Sequence, residues 1–394
     1  MKVALAFSGG LDTSVCLKLL QEEYETDVVT VAADVGQNPE KLKKIEEKAD
    51  NLGAVKHYGS DLTEKFVEDY VFPSIKANGI YEGYPLSTAL ARYPIAEKLV
   101  EVAQKEDCDA AAHGCTGKGN DQFRFDITIS LKDPDLDIIA PVRERNLDRP
   151  WEIQYAKDHD IPVPVDVDEP YSVDENIWGR SISGGDLEDP EDEPSEEIYE
   201  LTRSPSEAPP EPRILKIKFE EGIPTELNGE KRSGVSIINE INQVAGKYGV
   251  GRIDIVEDRT LGLKSRENYE APAAEVLIDA HEALEQLVLT RDELKTKEFV
   301  EDLWSDLVYR GLWFDPLRED LDAFIDKTQE RVTGEVKVKL EPGSAKVVAR
   351  DSSYSLHEPE LVSFQEYGFD QRDSIGAIKF QALQGKIFRK RRED

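Results

Sequence analysis

The stretch Ala6-Phe7-Ser8-Gly9-Gly10-Leu11-Asp12-Thr13-Ser14 constrains this chain more than any other, because it follows the apolar run Val3-Ala4-Leu5 and leads into the helical pattern Val15, Cys16, Leu19, Leu20. A hydroxyl, two glycines, an acid and two more hydroxyls thus stand where a buried strand turns into a helix. Glycines let the backbone curl without a Cβ clash, so several N–H groups and the helix N-terminus can face one anion. The triphosphate loop G-x-x-x-x-G-K-[ST] and the dinucleotide loop G-x-G-x-x-G are both absent here. Ser-Gly-Gly-x-Asp-x-Ser suits a pyrophosphate leaving ATP, with amides and hydroxyls on its oxygens and Asp12 placed to hold Mg²⁺. The plainer alternative is a turn in which Ser8 or Asp12 only caps the helix. Ser8 has no G-x-S-x-G elbow around it, which argues against a nucleophile.

At 394 residues the chain exceeds one ordinary core, so two domains and an appendage are expected. Lys+Arg number 49 against Asp+Glu 82, a formal charge of -33, and charged residues make up 33%, against about 25% in an average protein. Such a surface repels nucleic acid and anionic membranes. With 39% hydrophobic residues, disorder explains the acids poorly, and adaptation to high salt explains them better. Cys16, Cys108 and Cys115 form no C-x-x-C pair, which fits a reduced cytoplasm and neither a disulfide framework nor a thiolate metal site. The start reads directly as a strand with no signal peptide, and no apolar run approaches a membrane span.

Strand-like runs at Val3 to Phe7, Val28 to Ala33, Lys56 to Gly59, Asp109 to His113 and Asp137 to Ala140 alternate with helical faces such as Leu42, Ile45, Ala49, Leu52 and Ile95, Leu99, Val102, Ala103. This βαβ rhythm predicts an α/β fold with a mostly parallel sheet and ligands at the carboxyl ends of its strands. The second strand ends at Asp34, either a ribose or adenine contact or a turn acid. The fourth runs into His113-Gly114-Cys115-Thr116-Gly117-Lys118-Gly119-Asn120-Asp121-Gln122 and then Phe123-Arg124-Phe125. Thr116, Asn120 and backbone amides there suit a carboxylate, and Asp121 an α-ammonium, so the loop reads as an amino-acid site.

A second, α+β domain is expected from residue 169 to 362, preceded by a nucleotide domain over 1–168. Within it, 186–212 carries eleven acids, six prolines and one base, and reads as an exposed loop unable to bury a core. Ile214 to Phe219 resumes as a strand, and Ser236 to Val244 and the face beginning at Pro272 read as helices. Gly249 to Arg259 reads as a glycine turn and a strand packed with charge, followed by Gly262 to Glu270, and the default for such charged residues is an exposed, salt-bridged surface. Val336, Val338 and Leu340, Pro342-Gly343-Ser344 and Val347-Val348 predict a hairpin. Residues 363–394, with a helix-like Ile375 to Phe388 and the basic Arg389-Lys390-Arg391-Arg392, read as a helical arm that docks on another subunit.

Taken together, ALAFSGGLDTS, AADVGQ, YPLSTALAR, HGCTGKGNDQFRF, YSVDENIWGRS, GVGRIDIVEDRTLGLKSRENYEAP, YRGLWFDP and TGEV, in this order and over nearly the whole chain, resemble the argininosuccinate synthase family of pyrophosphatase-loop ligases. The resemblance implies that ATP, citrulline and aspartate give argininosuccinate, AMP and pyrophosphate through a citrullyl-adenylate, a step of arginine biosynthesis. No covalent enzyme intermediate is needed, so positioning and charge stabilisation dominate.

Carried over by motif, the resemblance implies ATP contacts at Ala6, Phe7, Ser8, Gly9, Gly10, Leu11, Asp12, Thr13, Ser14, Ala33 and Gly114, with Asp12 orienting Mg²⁺ and the departing pyrophosphate. It implies aspartate contacts at Thr116, Asn120 and Asp121. Citrulline is implied to meet Tyr84, Asn120, Arg124, Ser172, Ser181, Glu257 and Tyr269, the last two acquiring a role only in this way. Ser87 stands where the family often has Gly, and Ala89 where some members have a citrulline-contacting Ser. The family also implies a cytoplasmic homotetramer joined through the C-terminal arm. Two rivals have cheap discriminators: an RNA-thiolating enzyme needs a basic surface and a reactive cysteine pair, and a nucleotide sensor binds ATP without turnover.

Overall fold

In the computed structural model, residues 1–36, 39–162, 171–363, 365 and 368–393 are described, with backbone alone at 39–41 and 393. The expected boundary at 168/169 and Gln37 of the AADVGQ motif lie outside the described residues. The N-terminal part is a parallel sheet of β1 (Lys2–Ala6), β2 (Asp27–Asp34), β3 (Lys56–Asp61), β4 (Ala110–Ala112) and β5 (Asp137–Ile139) in the order β3-β2-β1-β4-β5. The order reverses between β1 and β4, and ligands of open α/β sheets bind at such a crevice. Alternation along β1 explains its two covers. Val3, Leu5 and Phe7 pack on Val15, Leu19 and Leu20 of the helix Leu11–Glu22. Ala4 and Ala6, on the other side, make room for Ala96, Leu99 and Ala103 of the helix Ser87–Lys105.

The chain continues with β6 (Tyr171–Asn176), β7 (Gly179–Gly184), β8 (Arg213–Glu220), β9 (Ile223–Leu227), β10 (Glu230–Lys231), β11 (Arg252–Asp258), β12 (Lys264–Glu270), β13 (Gly334–Glu341) and β14 (Ser344–Asp351). They form two antiparallel sheets, β11-β12-β7-β6 and β10-β9-β8-β13-β14. The helices Gly234–Gly246, Pro272–Val288, Arg291–Tyr309 and Pro316–Gln329 pack between and beside them. The largest core joins both halves of the chain: Leu215, Ile217 and Val336 share it with Tyr93, and Tyr70 meets Trp313 at 4.8 Å.

Two expectations change. The strand read over the first part of Gly249 to Glu270 is present as β11, but the second part is also a strand, β12, and the stretch is not an exposed surface: Glu257, Glu267, Asn268, Tyr269 and Glu270 are all buried. Its acids survive burial because hydrogen-bond donors meet them. The acidic segment 186–212 is mostly exposed and irregular, as expected, but it is anchored: Leu187 and Ile198 form a satellite cluster with Ile182. It is pinned by Glu270, which is fully buried and accepts from the N–H groups of Glu200, Leu201 and Thr202, from Thr202 Oγ1, and from Arg180. Beyond β14 the chain ends in the helices Asp373–Gln381 and Leu383–Glu393, which leave Ile375, Ile378, Phe380, Ile387 and Phe388 exposed.

Candidate functional site

The loop after β1 is held open toward its ligand side. Gly9 adopts φ +76°, a left-handed conformation that side chains disfavour, and Lys48 donates to its carbonyl. Ser8 Oγ lies 3.2 Å from Thr13 Oγ1, and Ser14 Oγ donates to the Gly10 carbonyl at 2.6 Å. Gly10, which has no side chain, is the N-cap of the helix Leu11–Glu22, and Ser8 Oγ accepts the Gly10 N–H at 3.4 Å. Ser8 therefore makes a local turn contact, and the helix N-terminus behind the two glycines faces the same side of the loop. Gly114, at the end of β4, faces Thr13 and Asp12 closely enough that an added Cβ would lie 3.4 Å from Thr13 and 3.5 Å from Asp12. Ala33 stands at the end of neighbouring β2. Asp34 accepts from the Gly36 N–H at 2.9 Å, which makes it at least a turn acid.

Asp12 is half-buried beside Glu152 of the helix Arg149–Asp158. Burial, with Asp12 adding to it, pushes the Glu152 carboxyl up to about 8, while burial also raises Asp12 and Arg149 pulls against it. A magnesium ion bound with a nucleotide takes one or two carboxylates and the phosphates, and Asp12 fits that donor set. Among the described residues no cluster of three or more His, Cys, Asp or Glu could hold a metal ion.

The loop after β4 is braced from beneath. His113 Nδ1 accepts the Cys115 N–H at 3.2 Å, which leaves its proton on Nε2, 2.6 Å from Asp126 Oδ1. Arg143 closes the brace on Asp126 at 2.6 Å. Thr116 is exposed at the top of this loop. Asp121 has one oxygen 2.9 Å from Arg124 Nη1 and the other 2.8 Å from Arg92 Nε. Although burial opposes it, Arg92 and Arg124 hold this carboxyl below its ordinary value. Arg92 reaches on to Asp174 at 2.7 Å.

One face of the sheet β11-β12-β7-β6 supplies the rest. In antiparallel pairs, opposed residues share a face. Ser181 opposes both Asp174 and Tyr269, Ser172 is two residues from Asp174, and Glu257 lies on the same face of β11. Ser172 stands exposed at the outer end, and Ser181 Oγ accepts from Thr88 Oγ1 at 3.1 Å. Tyr269 donates to Glu257 Oε2 at 2.8 Å and stacks on Tyr84, 4.1 Å between centroids. Tyr84 in turn accepts from the N–H groups of Thr88 and Ala89, capping the helix Ser87–Lys105. Tyr309 donates to Glu257 Oε1 at 2.6 Å and accepts from Asn120 at 2.8 Å. Burial raises the Glu257 carboxyl, and the two phenols pull it back.

The structure thus brings Tyr84, Asn120, Arg124, Ser181, Glu257 and Tyr269 into one connected cluster, while Thr116 and Ser172 are exposed. Ala89 is fully buried behind Tyr84. Arg92, Asp174 and Tyr309 received no role from the sequence. Each sits inside one of the family-like motifs, so the signal was present, but their pairings span large gaps in the chain and only folding reveals them.

Comparison with known proteins gives consistent matches. Residues 2–162 match the model described as "Arginosuccinate synthase N-terminal HUP domain", and residues 171–388 the "Arginosuccinate synthase C-terminal domain". The chain is 59% identical over 389 residues to the argininosuccinate synthase of Methanocaldococcus jannaschii, covering 99% of this chain and 98% of that one. It is 57% identical to that of Archaeoglobus fulgidus, covering 99% of each, and 55% identical to that of Methanococcus maripaludis, covering 98% and 97%. Among the described residues no helix is long and apolar enough to cross a membrane.

Proposed function

The chain belongs to the argininosuccinate synthase family, and from that membership we propose how its residues divide the work of joining citrulline to aspartate. It is an AMP-forming ligase of arginine biosynthesis. The ureido oxygen of citrulline attacks the α-phosphorus of ATP and expels pyrophosphate. The aspartate amine then attacks the ureido carbon, and the C–O bond breaks to release AMP with the former ureido oxygen.

The loop Ala6, Phe7, Ser8, Gly9, Gly10, Leu11, Asp12, Thr13, Ser14 takes the phosphates, with Ala33 and Gly114 closing the nucleotide pocket. Asp12 would hold Mg²⁺, which would supply neutralisation of charge on the departing pyrophosphate. Tyr84, Asn120, Arg124, Ser172, Ser181, Glu257 and Tyr269 hold citrulline, and Thr116, Asn120 and Asp121 hold aspartate. With both its oxygens paired to arginines, Asp121 orients the incoming amine and is a poor proton acceptor. Catalysis is then mainly placement: three ligands share one crevice, and no residue need form a bond to any of them.

The observation that carries this reading is the hydrogen-bonded path Asn120–Tyr309–Glu257–Tyr269, which joins the loop at the parallel sheet to the face of the antiparallel one. The apolar residues left exposed on the terminal helices support an arm that builds a homotetramer, and the charge of -33 supports a salt-rich cytoplasm and no nucleic-acid or membrane partner. The test is pyrophosphate release in high KCl with ATP and Mg²⁺. Single-turnover release with citrulline alone and continuous release with citrulline and aspartate are expected; release indifferent to citrulline would overturn the substrate assignment.

A further inference from the structure

We propose that Tyr309 is a positioning residue of the citrulline pocket, the post that sets Asn120, Arg124 and Glu257 relative to one another. The inference rests on the reading of that pocket as the citrulline site. Tyr309 is the last residue of the helix Arg291–Tyr309 and is 1% exposed. Its hydroxyl lies 2.8 Å from Asn120 Nδ2 and 2.6 Å from Glu257 Oε1. An amide nitrogen can only donate, so the phenol accepts from Asn120 and donates its own O–H to the carboxylate. Its carbonyl accepts from Arg124 Nε at 3.2 Å and Nη2 at 2.9 Å.

A tyrosine kept for packing would need only its ring, and here every polar atom beyond the backbone N–H is used on a different pocket residue. The ring is fixed by stacking on Tyr81, 3.7 Å between centroids and 10° between planes. The Thr260 N–H donates to Asn120 Oδ1 at 3.0 Å, so the Asn120 amide is held from both sides and cannot flip without losing both bonds. Asn120 comes from the loop after β4, Arg124 from the helix that follows, and Glu257 from β11. Tyr309 is where these three elements take their common register.

The experiment is Tyr309→Phe in the full chain, beside Glu257→Gln and the double variant, with KM measured separately for citrulline, aspartate and ATP. The phenylalanine keeps the Tyr81 stack and the Arg124 fork and leaves Asn120 and Glu257 without their shared partner. The citrulline KM is expected to rise about tenfold or more, the worth of one buried hydrogen bond to a charged group, with the ATP KM within about twofold of the parent's. The acid limb of kcat/KM for citrulline should move to higher pH, because Glu257 is raised by burial and Tyr309 is the strongest of the bonds that counter it. Tyr269 and Glu267 from β12, Arg124 from the helix Asp121–Lys132 and Arg259 beyond β11 also face Glu257, and they are unchanged in the variant. In the double variant, Tyr309→Phe should add little to Glu257→Gln. An unchanged citrulline KM and acid limb in Tyr309→Phe, while Glu257→Gln raises that KM, would overturn the proposal alone. If Glu257→Gln also leaves the citrulline KM unchanged, the citrulline reading falls and the proposal with it.

Discussion

The ring of Tyr84 lies flat on that of Tyr269, with centroids 4.1 Å apart and planes 16° apart. Tyr84 belongs to the segment that enters the helix Ser87–Lys105, and Tyr269 to β12 of the antiparallel sheet, so the stack joins two halves of the pocket. The same Tyr84 hydroxyl accepts two backbone N–H groups at the helix start, from Thr88 at 2.6 Å and Ala89 at 3.1 Å.

Tyr84→Phe should therefore cost stability although the stack is kept. Two buried helix amides lose their acceptor, and an unsatisfied buried donor costs about 1–3 kcal/mol. Thermal melting in high KCl checks this, with a lowered midpoint expected. A variant melting with the parent would mean the helix start finds another acceptor.

Arg92 ties Asp121 to Asp174, and so ties the loop of the parallel sheet to β6. Arg92→Lys keeps the charge but loses the planar fork that serves two carboxylates at once. Its kcat/KM for aspartate should fall by about tenfold or more, as for one charge-assisted bond lost, with the ATP KM near the parent's. Equal effects on all three substrates would instead point to a general loosening of the crevice.

The Glu270 cluster predicts a purely structural effect. A fully buried carboxylate with five donors cannot be removed cheaply, and breaking a buried ionic pair costs about 3–5 kcal/mol. Glu270→Ala should lower the melting midpoint and expose the segment 186–212 to protease first. Cleavage there at the parent's rate would show that other contacts hold the segment.

This cluster also marks the limit of what was legible in the chain. Much of the parallel sheet could be read from apolar runs, because β1, β2 and β4 carry their own burial signal, whereas the edge strand β3 has no buried residue. The loops after β1 and β4 could be read because glycines and hydroxyls concentrate there. Glu270 could not: the amides it accepts are 68 to 70 residues away, and a carboxylate bonded to a distant backbone looks in sequence like a surface acid. Glu257 was hidden in the same way, its donors being Tyr269 and Tyr309. Leu187 and Ile198 were masked by their neighbours, since a few scattered apolar residues among eleven acids suggest a solvated loop until the face of β7 is seen beneath them.

Glu152 gives a pH prediction with a definite sign. Its carboxyl titrates at about 8 in the folded chain, against about 4.3 when unfolded. Between those values the folded state binds a proton that the unfolded state does not, so the group's contribution is complete below about 4.3 and is lost as pH rises through about 8. Glu152→Gln should flatten the stability curve between about pH 5 and 9 and melt above the parent at the alkaline end. A variant with the parent's slope would place that proton on another group.

The last prediction concerns salt, where two effects oppose each other. Added KCl weakens exposed ion pairs, which lowers stability, and screens repulsion among like charges, which raises it. Acids outnumber bases 82 to 49, so many carboxylates have no base to pair with, and Asp186, Glu188, Asp189, Glu191, Asp192 and Glu193 crowd one exposed stretch. Repulsion therefore outweighs the ion pairs that salt would weaken. The screening length falls from about 10 Å at 0.1 M to about 3 Å at 1 M, below the spacing of most surface neighbours, so the midpoint should climb steeply over that range and then level off. A midpoint that is flat or falls with KCl would mean the acids are already neutralised by local partners, and adaptation to a salt-rich cytoplasm would be the wrong account of the composition.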